Sequence, residues 1–302
     1  MRMTATLLLL SCLTGCTGGE PEFADTSGEA RVSDIAGEAR SADGVPIRYV
    51  VRGTGEPTLV LVHGWTNSRA IWGEHPRTLS RTNRVVALEL AGHGESGAGR
   101  AQWSIDGFGE DVVAVVEQLE LDSVVLVGFS MGGAVVLEAA DRMPDRVLGV
   151  VLVDAFHDPD EAAPDSMADV VEAQFRANWG DTAFLRAFGF TPDAPDSLIQ
   201  YVAATSPAQP REHWFPILRA SFRWAREDAK TTLASVRPPI AAINTTRAPT
   251  RVDAIRRYAP SFTVDTMDGV GHAGILLQRV EDFDAKLLAI VERFASAERR
   301  RD

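Results

Sequence analysis

Cysteine is almost missing from this 302-residue chain: Cys12 and Cys16 are the only two, and both stand close to the N-terminus. The remainder can hold neither a disulfide nor a thiolate-bound metal, so its stability has to come from a packed core. Long apolar runs are scarce too, and the one at residues 5–13 is too short to cross a bilayer as a helix. Positive charge is in short supply, with 30 Lys and Arg against 42 Asp and Glu and a net charge of −12. Nothing in that balance would neutralise a phosphate backbone, which argues against a nucleic-acid partner. Arginine greatly outnumbers lysine, and the cluster Arg299-Arg300-Arg301 reads as a solvated helix end. There is no sign of an internal repeat. What remains, 45% hydrophobic and 24% charged residues, is the composition of an ordinary globular domain able to bury one substantial core.

The first residues carry their own pattern. Arg2 precedes the apolar run, which closes on Leu13-Thr14-Gly15-Cys16. A basic start, an apolar stretch and small residues before a cysteine resemble the signal and lipobox of bacterial lipoproteins. The resemblance implies a signal peptide at 1–15, a diacylated Cys16 and an extracytoplasmic protein anchored to the membrane through that lipid. Thr17, rather than Asp, would direct it to the outer membrane of a Gram-negative cell. A plain secretory signal, or a buried N-terminal segment with an incidental cysteine, are the other readings. Residues 16–37 are rich in Gly, Glu, Asp, Ser and Ala and read as a flexible acidic tether.

From residue 38 the pattern changes. Residues 38–42 and 46–52 alternate around Asp43-Gly44 as a hairpin should. Apolar strands at 59–62, 84–89, 123–127 and 147–153 then alternate with helical stretches at 68–80, 104–119 and 133–140. Continuous apolar strands between helices predict an α/β fold, with a mostly parallel sheet covered on both faces. The rhythm breaks at Asp154. Residues 157–236 carry aromatics such as Trp179, Phe184, Phe188, Trp214 and Phe215 among several prolines, and read as a helical cap inserted after the strand ending at Val153. Most of these aromatics would form the cap's own core, leaving a few to line a pocket. The rhythm resumes with a strand at 239–243, a helix at 251–258, a strand at 261–267 and a last helix at 274–297. The core is thus read as 38–156 plus 237–302.

The chemistry centres on Gly128-Phe129-Ser130-Met131-Gly132. A serine between a buried strand and a helix, flanked by glycines, fits the Gly-x-Ser-x-Gly turn that lifts a hydroxyl clear of the sheet. The hydroxyl then stands at a helix N-terminus, where amide N–H groups can stabilise an oxyanion. Other patterns accompany it: His63-Gly64-Trp65, Gly92-His93-Gly94-Glu95-Ser96, and His272 in a loop with Gly269 and Gly271.

Together these motifs resemble the α/β-hydrolase superfamily over residues 38–297. The resemblance implies acyl transfer, with Ser130 as nucleophile and His272 as the base that takes its proton. His63 and His93 fall in turn motifs that are structural in the family, while His75, His157 and His213 have no comparable context. The oxyanion donors would be the backbone N–H groups of Met131 and Trp65, and Trp65 is also placed to floor an acyl pocket. The acid departs from the commonest pattern. The loop after the penultimate strand has Ala248 where most members have Asp, and an alanine cannot orient an imidazole. Asp154, directly after the strand 149–153, is the expected substitute, as in pancreatic-type lipases and some haloalkane dehalogenases. Asp253 or another carboxylate is the alternative.

The leading expectation is a serine hydrolase acting on a small or medium carboxylic ester, with no metal and no organic cofactor. An amidase of the proline-iminopeptidase kind is the enzymatic alternative. It would use an acidic cap residue, Glu172, Glu212 or Glu227, to hold a free amino group. A non-catalytic, surface-tethered binding protein of the same fold is the alternative from another class. The oligomeric state is unknown from the residues alone.

Overall fold

In a computed structural model of the chain, residues 34–160, 164–205 and 211–300 are described, apart from the side chains of Asp165, Arg211 and Glu212. The proposed signal peptide, Cys16, nearly all of the tether and the side chain of Glu212 lie outside the described residues.

The chain begins with strands β1 (Ile35–Arg40), β2 (Pro46–Arg52) and β3 (Thr58–Val62), followed by a 3₁₀ turn (Arg69–Trp72) and α1 (His75–Leu79). Next come β4 (Val85–Leu88), α2 (Ile105–Gln118), β5 (Val124–Phe129), α3 (Met131–Arg142) and β6 (Val147–Val153). Five helices follow: α4 (Asp165–Ala177), α5 (Thr182–Gly189), α6 (Asp196–Thr205), α7 (Arg211–Glu227) and α8 (Ala229–Ser235). The chain closes with β7 (Ile240–Thr245), α9 (Val252–Arg256), β8 (Thr263–Met267), α10 (Gly274–Leu277) and α11 (Val280–Glu298).

The strands form one sheet in the order β1-β2-β4-β3-β5-β6-β7-β8. The hairpin and its junction with β4 are antiparallel, and all other neighbours are parallel. Every residue of β3, β4, β5 and β7 is buried, as strands covered on both faces must be. Side chains alternate between the two faces. Val60, Val62 and Leu126 join the core beneath α2 and α3, while Leu59, Leu61, Val125 and Val127 join the core with Trp72, Phe283 and Leu287.

Local chemistry sets several boundaries. Ser104 caps α2 by accepting from the Gly107 N–H at 3.0 Å, and Phe108, Val112, Val115 and Val116 give the helix its buried stripe. Gly149 lets α11 lie close on β6, because a Cβ there would stand 2.2 Å from the Phe294 ring. Three expectations need correction. The stretch 68–80 is two short helices, broken at Gly73 (φ +48) and restarted near Pro76, whose missing N–H suits a first turn. The last helix is also two, since Arg279 leaves helical geometry (φ −143, ψ 64) between α10 and α11. Strand β1 starts at Ile35, inside the stretch read as tether, and pairs residue for residue with β2 through Arg40↔Pro46.

Helices α4 to α8 occupy the interval between β6 and β7. Phe175, Phe215 and Leu218 form a small apolar cluster there, joined by Trp179, Phe184, Phe222 and Trp65 of the loop after β3. Glu138 of α3 ties this region to the sheet. It accepts from Trp224 Nε1 at 2.7 Å and Thr232 Oγ1 at 2.8 Å, and pairs with Arg142. Among the described residues no helix is long and apolar enough to cross a membrane.

Candidate active site

Strand β5 delivers Ser130 to the carboxyl edge of the sheet in a backbone conformation (φ +54, ψ −120) that few non-glycine residues adopt. Its neighbours make that turn possible. A Cβ on Gly128 would lie 2.2 Å from the Gly132 carbonyl oxygen, and one on Gly132 would lie 2.5 Å from that of Val62. The Ser130 N–H donates to the Val153 carbonyl at 2.9 Å, locking the turn to β6.

Ser130, Asp154 and His272 come from three separate elements and meet. His272 Nε2 is 2.9 Å from Ser130 Oγ, and His272 Nδ1 is 2.6 Å from Asp154 Oδ2. The His272 ring lies between Phe129 and Phe188, with centroids at 4.9 and 5.7 Å. Its loop docks on the end of α5. The Ala273 N–H donates to the Gly189 carbonyl at 2.8 Å, and a Cβ on Gly271 would strike that carbonyl oxygen and the Phe190 backbone. Asp154, at the end of β6, is only 8% exposed. Burial pushes its pKa up, but hydrogen bonds from His157, His272 and the Thr245 N–H outweigh it and hold the carboxyl well below its ordinary range. The group is therefore a carboxylate beside a histidine that faces a serine, an arrangement able to move a proton from Oγ to Nε2 and stabilise the imidazolium formed.

The loop after β3 is organised by His63. Its Nε2 accepts from the Leu90 N–H at 3.1 Å, which leaves the proton on Nδ1, and Nδ1 donates to the Gly64 carbonyl at 2.8 Å. The Asn67 N–H reaches the same carbonyl at 3.3 Å. The Gly64–Trp65 peptide is planar and trans, so fixing its C=O turns the Trp65 N–H to the opposite side. Gly64 abuts the serine, since a Cβ there would stand 3.0 Å from Ser130 Cβ. Met131 is the first residue of α3, and its N–H has no acceptor within the helix. The Trp65 indole donates to the Trp214 carbonyl at 2.7 Å and meets Phe175 edge-on at 4.8 Å, linking this loop to α7 and α4.

The other histidines stand apart from Ser130. His93 is buried against His63 and Trp214. His75 joins α1 to α11 through Asp284 Oδ1 at 2.6 Å. His213 packs beside Trp103. Asp253 is exposed on α9 and is not among the partners of His272. Sequence reasoning passed over His157, whose Nε2 is 3.4 Å from Asp154 Oδ1, and the Thr245 N–H, which donates to the same oxygen at 2.9 Å. The one available signal was a histidine three residues after the acid. Among the described residues no cluster of His, Cys, Asp and Glu is placed to hold a metal ion.

This architecture is the α/β-hydrolase fold, and residues 57–188 match the family model described as alpha/beta hydrolase fold. Over 101 residues the chain is 39% identical to the dihydrolipoyllysine-residue acetyltransferase component of the acetoin cleaving system of Pseudomonas putida, covering 33% of this chain and 27% of that one. Over 106 residues it is 39% identical to the pimeloyl-acyl-carrier-protein methyl ester esterase of Nitrosospira multiformis, covering 34% and 40% of the two chains. It thus spans less than half the length of these curated relatives. A thermophilic esterase from Thermogutta terrifontis has the same fold, with a TM-score of 0.72 at 20% identity over 86% of this chain and 99% of that one.

Proposed function

We propose that this protein is a serine hydrolase that cleaves small or medium carboxylic esters through an acyl-enzyme on Ser130. The observation that carries the reading is the continuous contact from Ser130 Oγ to His272 Nε2, and from His272 Nδ1 to Asp154. As Oγ attacks the ester carbonyl, its proton passes to Nε2, and the oxyanion takes hydrogen bonds from the Trp65 and Met131 N–H groups. The imidazolium then protonates the leaving alkoxide. Water, deprotonated by His272 in turn, releases the acid from Ser130. These steps call for no metal or organic cofactor. The chain of touching rings Trp65, Phe175, Phe184 and Phe188, which ends against His272, suits an apolar acyl or alcohol part. Esterases among the similar proteins agree with this reading.

Of the acidic residues considered for the amidase alternative, the side chain of Glu212 lies outside those described and the other two are already paired. Glu172 is already held by Arg176 and Arg219, and Glu227 pairs with Arg226. The non-catalytic alternative leaned on the missing carboxylate near Ala248, and a carboxylate touching His272 from β6 removes that argument. For the N-terminus we keep the lipid anchor on Cys16, extracytoplasmic and in the outer membrane if the cell is Gram-negative. Loss of an incorporated palmitate label in Cys16→Ala would support it, and retained label would reject it.

The test of the activity needs no guess at the substrate. Intact-mass analysis after exposure to a fluorophosphonate should show one adduct that is absent in Ser130→Ala, followed by turnover on an ester panel. A folded protein that takes no adduct would refute the reading.

A further inference from the structure

Asp154 has more partners than one imidazole supplies. While Oδ2 faces His272 Nδ1, Oδ1 accepts from the Thr245 N–H at 2.9 Å and lies 3.4 Å from His157 Nε2. His157 reaches back because its loop folds over itself, with Asp154 at φ +44 and Phe156 at φ +56. Such values are uncommon for residues with a Cβ, and here they are held by the end of β7 and the loop that follows it. The Asp154 N–H donates to the Ile243 carbonyl at 2.9 Å, the Ala155 N–H to Asn244 Oδ1 at 3.3 Å, and the Arg251 N–H to the His157 carbonyl at 2.7 Å. The segment that carries the acid in most superfamily members thus braces an acid carried by β6.

We propose that His157 is a positioning residue for the Asp154–His272 pair: its Nε2–H secures the Oδ1 side of the carboxylate so that Oδ2 is presented to His272 Nδ1. This rests on the reading of Ser130, His272 and Asp154 given above. The tautomer follows from the surroundings. Among the described residues His157 Nδ1 is buried and has no partner, and a buried lone pair is tolerated better than a buried N–H lacking an acceptor. The proton therefore belongs on Nε2, where Asp154 is. A single N–H donor at Oδ1 steadies the carboxylate and leaves Oδ2 to the imidazolium of His272. The charged groups beside the loop, Arg251 and Asp158, face each other at 3.6 Å.

The experiment compares His157→Gln, which keeps an N–H donor of similar reach, with His157→Met, of the same length and without one. In the full-length protein, His157→Met should lower kcat by about 10- to 100-fold with KM unchanged. His157→Gln should recover most of that loss. Adding His157→Met to Asp154→Asn should cost nothing further, because the effect runs through the carboxylate. A second readout needs no substrate. The far-downfield proton on His272 Nδ1 should shift or broaden in His157→Met and return in His157→Gln. If the wild type hydrolyses esters and His157→Met equals it in kcat and in that resonance, the role of His157 is refuted while the serine reading stands. If the wild type takes no fluorophosphonate and turns over no ester, the serine reading fails, and the resonance still decides whether His157 holds the pair.

Discussion

Acidification should unfold this protein partly through His63, and the size of the effect can be worked from its surroundings. The ring is fully buried, and loss of water around its charged form lowers the pKa from the ordinary 6.5 to about 4, against a smaller opposing pull from the Gly64 carbonyl. The unfolded chain then binds a proton that the folded one refuses. The stability tied to this group is complete above 6.5, declines as pH falls, and is gone below about 4. Integrated between about pH 7 and pH 5, this one imidazole removes roughly 2 kcal/mol. Urea melts followed by tryptophan fluorescence at each pH would measure it in wild type and His63→Asn. The variant should start lower at neutral pH, by about 1–3 kcal/mol, for want of an acceptor for the Leu90 N–H. Its further loss on acidification should be smaller by roughly 2 kcal/mol than that of the wild type. His93, also held well below its ordinary value, first by burial and then by His63, is present in both proteins; losing His63 relieves the smaller of those causes and works in the same direction. Parallel loss in the two proteins would refute the argument. So would ring-proton shifts in the wild type showing His63 half-protonated near its ordinary pH. Because the same ring fixes the Gly64–Trp65 peptide, His63→Asn should also depress kcat more than it raises KM.

Three further outcomes are expected. Asp154→Asn should leave the protein folded yet cut kcat by about 10⁴-fold, because an amide orients His272 in the wrong tautomer; activity within tenfold of wild type would reassign the acid. Gly132→Ala should abolish adduct formation at Ser130, since its Cβ would lie 2.5 Å from the Val62 carbonyl oxygen and 2.6 Å from that of His63. An unchanged fluorophosphonate rate there would contradict the close packing of the turn. Glu138→Ala takes the acceptor from the buried Trp224 indole and one of three carboxylates from Arg142, which keeps Glu110 and Asp106, and should destabilise the fold by about 1–3 kcal/mol in chemical melts, with Glu138→Gln intermediate.

The sheet strands were legible in the residues because burial on both faces leaves a plain signature. Runs such as Leu59 to Val62 and Val124 to Phe129 admit little else between turn residues. The hairpin turn at Asp43-Gly44 was legible for a different reason, since it is closed by atoms a few residues away. Failures came where distant packing decides. The break at Gly73 and the restart at Arg279 interrupt segments whose apolar spacing alone favours one helix. Ile35 lies in β1 although it is 65% exposed, so no apolar pattern announces the strand.

The site divides along the same line. Ser130 was evident from five consecutive residues, because the strained turn needs its glycines beside it. His272 was evident from the glycines of its own loop. Asp154 was expected from its place after a strand, but its standing beside His272 where Asp253 does not, the contacts around it and the direction of the Trp65 N–H were decided by the fold. Asp154 and His272 are 118 residues apart and meet only because β6 ends beside the loop after β8, across β7. Whether a carboxylate serves a histidine is a matter of ångströms and of which donors share it. The order of residues sets which chemical groups are on hand, and the packing of distant strands and loops sets which two of them touch.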